Sequence, residues 1–569
     1  MSFIQSGKEC IDSIIIGQSE IVRYEDYSKL PIDRIHLYKE LVFLRMVHVN
    51  GHFMSHLDVI NLVRSGKTFS QASNDRERRE LLSIWNLPGL SSLLVASSAH
   101  HEGFNVKIIN NFDAEFDKFT EYYDNQEVPP LIGISVTFYL GYSEVQRIIK
   151  RLRAHDPKMK IVIGGAFANE QTINSTIEDF EKPMRKYGID YVLHSFNSDE
   201  EFPALLNAHK TGTGFLQVSN LAYFNNAGQF RATPKLWRNP TLNSKPMLWK
   251  QVDLSFVNRT VQLRAASGCP FSCSFCSYPD TAGGHFSMEL GLIEQQLQDI
   301  QSLGFIDRII FIDDTFNVPI RRFKEILKIL CKFQFEWFSF LRVQYIDEEV
   351  AKLMKESGCR GVYLGLESVN DTVLKNMNKY ASQEKFLRGM EYLKKYEITT
   401  FAAFVIGFPG ETQATIDENI KFLNSYDVDF YSTKEFYYMT HTDIHRDREK
   451  YGLTGLGNKW SHSTMNSDIA SEMKTYMFRN VKNSVFLDPD TSLWYLAYLY
   501  DQGFTFDQIK NCQRILNEMM LEEIDGKFDG KEPYLDRLAH VLGVHGSQTH
   551  STGVGANDIK RKLKHEENA

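Results

Sequence analysis

The 569-residue sequence predicts an α/β protein in three parts: a doubly wound Rossmann-like domain, a partial (β/α)6 barrel and a helical C-terminal cap. Two alternations of short apolar runs with helical stretches predict it, one over 105–206 and one over 261–436. A stretch rich in Asn, Pro and Lys (212–250) reads as the linker between them, and from 466 to 540 only helical patterning continues. The boundaries that follow are 1–85 for a weakly periodic N-terminal extension, 86–240 for the Rossmann-like domain, 255–440 for the barrel, 441–545 for the cap and 546–569 for a disordered tail.

In the first alternation, Gly89 to His101 has helical spacing and NVKIINNF (105–112) reads as a strand. LIGISVTF (131–138), KIVIGG (160–165) and YVLHSF (191–196) are three more, with a helix over 142–154. Such sheets bind ligands at the carboxyl ends of their strands. That rule singles out Ser135, Thr137, Gly164 and Gly165 as candidate binding residues. In the second alternation, strands are expected at 261–267, 308–313, 337–343, 361–366, 401–406 and 429–436, the first five each followed by a helix. Six such repeats close a partial barrel whose chemistry lies at the strand ends.

Length exceeds what one core supports, and 43% apolar with 24% charged residues is an ordinary globular balance. The net charge of −8 argues against a nucleic-acid-coating surface. No apolar run reaches membrane-spanning length, and the opening MSFIQSGKECIDSIIIG lacks a basic, then long apolar, leader. The expectation is a cytoplasmic protein with neither nucleic-acid nor membrane partners.

Seven cysteines are too few for a disulfide scaffold, yet three fall within SGCPFSCSFCSYP (267–279). Cys269, Cys273 and Cys276 follow the first barrel strand with the spacing Cys-x3-Cys-x2-Cys. Three thiolates can hold three irons of a [4Fe–4S] cluster and leave the fourth open to an outside ligand. A structural zinc site wants a fourth ligand; His285 is distant and follows the glycine turn Gly283-Gly284.

With those strands around it, the motif resembles that of the radical S-adenosylmethionine (SAM) superfamily. The resemblance implies SAM chelating the open iron and splitting, after one electron from a donor such as flavodoxin or ferredoxin, into methionine and a 5′-deoxyadenosyl radical. It implies cofactor-binding roles for Phe275 beside the adenine and for Arg342, at the end of strand three, on the methionyl carboxylate. Glu367, in GLES, would accept from the ribose, and Gly407, in VIGFPGET, would let backbone approach the adenine. Where the family has Gly-Gly-Glu for the methionyl amine this sequence has IDDTFN, which leaves Asp313 and Asp314 for that task.

Residues 129–170 and 191–206 look like the cobalamin-binding-type domain that precedes many radical SAM enzymes, although no Asp-x-His-x-x-Gly is present; HVNGHFMSH (48–56) does not match it. Over about 90–540 the chain resembles the subgroup that includes phosphinothricin P-methylase and ribosomal-peptide-modifying enzymes. The preferred expectation is cobalamin-dependent methylation of an unactivated carbon or phosphorus in natural-product biosynthesis, on a small molecule or a peptide precursor. The alternative is peptide epimerisation, which needs a thiol as hydrogen donor at the barrel mouth. Cys512 is the candidate catalytic residue for it; Cys359 should face the closed end and Cys331 the core. Trp460, His462 and Met465 are candidate pocket residues, and Lys434 and Glu435, at the end of strand six, either touch the substrate or pair with each other.

Overall fold

The computed structural model describes residues 10–20 and 44–544, apart from 140, 175, 238–239, 283 and 488–491. The predicted tail and the first glycine of the Gly283-Gly284 turn lie outside the described residues.

The first sheet comprises β1 (Ser13–Gln18), β2 (Val106–Asn111), β3 (Leu131–Ser135), β4 (Ile161–Gly164), β5 (Tyr191–Leu193), β6 (Leu221–Phe224) and β7 (Phe230–Ala232). Their spatial order is β2-β1-β3-β4-β5-β6-β7, parallel through β5 and antiparallel beyond it. Helix α1 (Leu90–His101) packs on this sheet. Two expectations change here. The described residues before 86 do not form a separate extension, because β1 is an inner strand of the sheet, buried along its whole length. The supposed linker contains β6 and β7, which extend the same sheet, and Trp249, which is buried between the two halves of the molecule.

The second sheet runs in chain order, all parallel: β8 (Thr260–Leu263), β9 (Arg308–Phe311), β10 (Glu336–Leu341), β11 (Cys359–Glu367), β12 (Thr399–Ile406), β13 (Phe430–Glu435) and a two-residue seventh strand, β14 (Val485–Phe486). Outward side chains such as Ile309, Trp337, Val362 and Phe404 pack with the surrounding helices. Inward ones (Ile310, Phe338, Phe401 and Phe430) form a different core. The partial (β/α)6 barrel is thus present, with one short strand added.

After β13 the chain forms the hairpin Thr454–Leu456/Lys459–Ser461 and α2 (Ser467–Asn480), then α3 (Ser492–Asp501), α4 (Phe506–Ile524) and α5 (Glu532–Val541). Helix α3 (SLWYLAYLYD) is apolar on all sides, which marks a helix buried all round. Its Leu493, Leu496 and Tyr498 share the core of the inward barrel residues and plug the lower half of the barrel. Asp501 ties its end to the closed end of the barrel, accepting from Thr260 Oγ1 at 2.7 Å and Asn258 Nδ2 at 2.9 Å.

The C-terminal helices do not cap the mouth. Lys510 of α4 pairs with Asp429, immediately before β13, at 2.9 Å, so α4 lies toward the amino ends of the strands. The hairpin Met46–Val49/His52–Ser55 and the helix His56–Ser65 fasten to it. His48 N donates to Glu523 Oε1 at 2.8 Å, and Gln513 Nε2 meets His56 Nδ1 at 3.1 Å. Among the described residues no helix is long and apolar enough to cross a membrane.

Candidate active site at the barrel mouth

The cysteine loop leaves β8 and is held from three sides. Ser274 N donates to Met377 O at 2.9 Å, Ser274 Oγ to Asn376 O at 2.9 Å, and Ile444 N to Ser274 O at 2.8 Å. Gly268 has φ +79°, and a Cβ there would overlap the carbonyl of Gly284, so only glycine lets the strand turn into the loop. Within the loop, Cys276 N donates to Cys273 O at 2.9 Å. Cys273 is buried; Cys269 and Cys276 are partly open. Burial, with the charges of the neighbouring Cys273 and Cys269, pushes the Cys276 thiol up to about 11. A thiolate there therefore needs a positive partner, and bound iron is one.

Among the described residues no group of three or more His, Cys, Asp or Glu converges on a single metal-ion position. Burial and the charge of Arg322 hold His285 below the usual imidazole range. The donor set is three sulfurs from one loop, which fits a cluster whose irons are bound one apiece.

Arg342, at the end of β10, is buried. Its Nη2 donates to Cys273 Sγ at 3.1 Å and its Nη1 to Lys379 O at 2.9 Å, and its guanidinium lies 3.5 Å from the Phe271 ring centroid. One donor of Arg342 thus serves the sulfur side and another a backbone carbonyl. Asp313 is not a mouth residue. Its Oδ2 accepts from Ala265 N at 3.0 Å, and burial pushes its carboxyl up to about 7. Asp314, one residue on, is exposed at the mouth, where Tyr278 hydroxyl donates to it and the Arg264 charge is felt.

Glu367 ends β11 in a left-handed backbone, φ +67°, at a break in register with β12. Such a conformation costs a non-glycine residue about 1–3 kcal/mol and persists where the surroundings demand it. Here Lys379 Nζ holds its Oε1 at 2.9 Å in a pair whose side chains are only 6% and 14% exposed, the lysine being the more buried. Gly407 follows β12 with φ +90°, and a Cβ would lie 2.5 Å from Trp460. Glu411, wholly buried, accepts from Gly407 N at 2.5 Å and closes this loop. Phe275 stands edge-on to Phe408 of the same loop, centroids 6.1 Å apart.

Trp460, His462 and Met465 do not line a pocket. All three are buried; Trp460 Nε1 donates to Phe436 O at 2.7 Å, and His462 Nε2 meets Gly407 O at 2.9 Å. They buttress the Gly407 loop from outside. Glu435 pairs with Lys474 at 3.7 Å, not with Lys434. Cys512 is buried on α4, 2% exposed, in a core shared with Val47 and Val49, and burial pushes its thiol up to about 12. It belongs to the wall toward the amino ends of the strands, against the expectation of a mouth thiol. Cys359 is buried at the start of β11, as its position predicts, and Cys331 is exposed instead of buried.

A second cavity, of about 140 Å³ and partly open, lies at the carboxyl ends of β3, β4 and β5. Ser135, Thr137, Gly164 and Gly165 all line it, opposite Ser91 and Val95 of α1. Ser135 Oγ is 3.2 Å from both Ser91 Oγ and Thr137 Oγ1. Gly165 has φ +127°, and a Cβ would meet Thr137 Oγ1 at 2.8 Å, so a larger residue would narrow the cleft. No histidine is among its lining residues. Arg264, at the end of β8, closes its far side and reaches Asn197 at 3.5 Å, joining this cleft to the barrel mouth. Arg264, Tyr278 and Lys379 carry no motif of their own in the sequence; only the meeting of distant segments reveals them.

Residues 264–423 match the profile of the Radical SAM superfamily. An uncharacterized methyltransferase of Pyrococcus horikoshii is 28% identical over 60% of this chain and 74% of its own length. The bacteriochlorophyllide d C-12(1)-methyltransferase of Chlorobaculum tepidum is 28% identical over 30% of this chain, which spans only 39% of that relative. Among solved structures, the radical SAM methyltransferase TsrM from Kitasatospora setae, with tryptophan and a SAM analogue bound, superposes with TM-score 0.51 at 18% identity, covering 85% of this chain and 97% of that one. The cobalamin-dependent SAM radical enzyme OxsB, with aqua-cobalamin and SAM bound, gives 0.52 at 14% identity, covering 86% and 80%. Both likenesses are of fold: a Rossmann-like sheet ahead of the barrel, and helices after it. Residues 264–423 of this chain are a radical SAM domain.

Proposed function

We propose that the chain is a cobalamin-dependent radical SAM methyltransferase acting on an unactivated carbon or phosphorus in natural-product biosynthesis. The observation that carries this reading is the shared wall: Arg264 bounds both the barrel mouth, beside Asp314, and the cleft of the first sheet. A methyl carrier seated in the cleft would face a radical made at the mouth. Cys269, Cys273 and Cys276 would hold three irons, with Arg342 donating to Cys273 Sγ. The cluster, when bound, supplies the electron that splits SAM into methionine and a 5′-deoxyadenosyl radical. Cobalamin, when bound, supplies the methyl carrier, and Ser135, Thr137, Gly164 and Gly165 would seat part of it by hydroxyl contact and close backbone approach. Asp314 takes the ammonium of SAM, since a carboxylate suits an ammonium and Asp313 is turned away. The Gly407 loop and Phe275 flank the adenine. Flavodoxin or ferredoxin is the proposed electron donor.

Peptide epimerisation finds less support. Cys512 is remote from the strand ends that carry the cluster loop, and neither Cys359, at the closed end, nor Cys331, on the outer surface, takes its place.

The test is anaerobic reconstitution of the full chain. About four irons per chain, 5′-deoxyadenosine formed from SAM under reduction, and cobalt retained after production with cobalamin are expected. Alanine at any one of the three cysteines should abolish the nucleoside, and Gly165→Val should lower cobalt while iron stays. Zinc in place of iron, or no 5′-deoxyadenosine, overturns the radical assignment; iron without cobalt overturns the methyl carrier alone.

A further inference from the structure

The barrel interior is closed below and open above. Ile310, Phe338, Phe401 and Phe430, inward on β9, β10, β12 and β13, are buried against α3. Ile312, Phe340, Tyr363 and Val405, nearer the carboxyl ends, are only half-buried. Side chains alternate along a strand, so on β13 the inward set is Phe430, Ser432 and Lys434. The register supports this, pairing Phe401 with Phe430, Ala403 with Ser432 and Val405 with Lys434. Lys434 therefore stands on the inner wall above an aromatic floor. Phe340 lies 5.2 Å from Tyr363 and 5.2 Å from Trp494, centroid to centroid.

The charges around this chamber are matched, with one exception. Glu367 is paired with Lys379, Arg342 is committed to Cys273 and Lys379 O, and Asp314 has Tyr278 and Arg264. On β13 itself, the outward Glu435 is tied to Lys474. Lys434 is exposed and has no ion-pair partner among the described residues. Beside the Phe340 ring, Trp494 Nε1 is shut off from solvent and has no acceptor among the described residues. Buried donors in native proteins nearly always have a partner, protein or water, and a ligand carboxylate would supply one here.

We propose that the acceptor substrate is a flat, largely apolar molecule bearing a carboxylate, that Lys434 holds the carboxylate, and that the body lies on Phe340, Tyr363 and Trp494. An apolar ring satisfies the floor, and an anion satisfies the unmatched ammonium without placing a buried charge alone. This rests on the methyltransferase reading only in calling the occupant a substrate; the binding chemistry stands on the chamber itself.

The test uses calorimetry on the iron-loaded full chain with 3-phenylpropionate and its uncharged amide as probes. Saturable binding of the acid, at least about tenfold tighter than the amide, is expected, a ratio within reach of one charge-assisted hydrogen bond. Lys434→Gln should erase the preference and Lys434→Arg keep it. Trp494→Phe, which retains the ring and removes the donor, should weaken the acid severalfold. Absence of saturable acid binding, equal binding of acid and amide, or a preference that survives Lys434→Gln overturns the proposal. Iron content and 5′-deoxyadenosine formation by the wild type judge the radical reading separately.

Discussion

Alanine at Gly407 is the smallest change that should disturb the barrel mouth without touching a cysteine. The residue has φ +90°, where an L side chain costs about 1–2 kcal/mol. The new Cβ would lie 2.5 Å from Trp460 Cη2 and 2.8 Å from Ala470 Cβ, contacts that real Cβ atoms do not make. Trp460 cannot swing away freely, because it is buried and its Nε1 is bonded to Phe436 O. Overpacking of this kind adds about 1–3 kcal/mol. Together the two effects predict about 2–5 kcal/mol, and at about 1.4 kcal/mol per tenfold the loop should open some thirty to several thousand times more often. Hydrogen exchange followed by mass spectrometry reads this directly in the amides of 407–411 and 459–465. Combining Gly407→Ala with Trp460→Leu, which makes room for the methyl group, should return part of the loss, leaving the backbone strain. Unchanged protection of 407–411 in Gly407→Ala would refute the claim that close packing holds this loop.

Two further outcomes are expected. Cys512→Ala should leave 5′-deoxyadenosine and product formation intact and cost only about 1–2 kcal/mol of stability from a small cavity; loss of product with nucleoside formation preserved would restore Cys512 as a hydrogen donor. Burial pushes Glu411 from its ordinary 4.5 up to about 8, so between those values the folded chain holds a proton that the unfolded chain has lost. Stability of the 407–411 loop should therefore fall as pH rises across that window and level off above it. Glu411→Gln should flatten the profile when exchange is corrected for its intrinsic pH dependence, and a slope unchanged by the substitution would assign the effect elsewhere.

Much of the architecture was legible because parallel strands covered on both faces read as apolar runs. The five runs predicted between 308 and 436 lie within about two residues of β9 to β13. Ser13–Gln18 escaped because one short apolar run, with no helical repeat around it, does not declare which sheet it joins. Val485–Phe486 is too short to carry any period. Helix α3 was legible as a helix but not as a plug: its uniform apolarity says that it is buried, not where. At the site, the cysteine spacing was informative because the ligands are local. Asp313 and Asp314 are adjacent and chemically alike, and only strand alternation, with Phe311 outward and Ile312 inward, tells which one reaches the mouth. Nothing in the spacing places Cys273 within 3.1 Å of Arg342. Trp460 and His462 were drawn toward the pocket by composition, whereas their hydrogen bonds to Phe436 and Gly407 place them behind its wall.

The clasp between the early hairpin and α4 has a consequence for how the molecule is made. His48 and Glu523 are 475 positions apart, so the side of Met46–Ser65 that α4 covers has no partner until the chain through Glu523 has left the ribosome. Val47 and Val49, buried in the finished protein in the core that Cys512 of α4 shares, lack that cover in the interval. Synthesis thus passes through a stage with an apolar surface waiting for its lid, when chaperone capture or aggregation competes with closure.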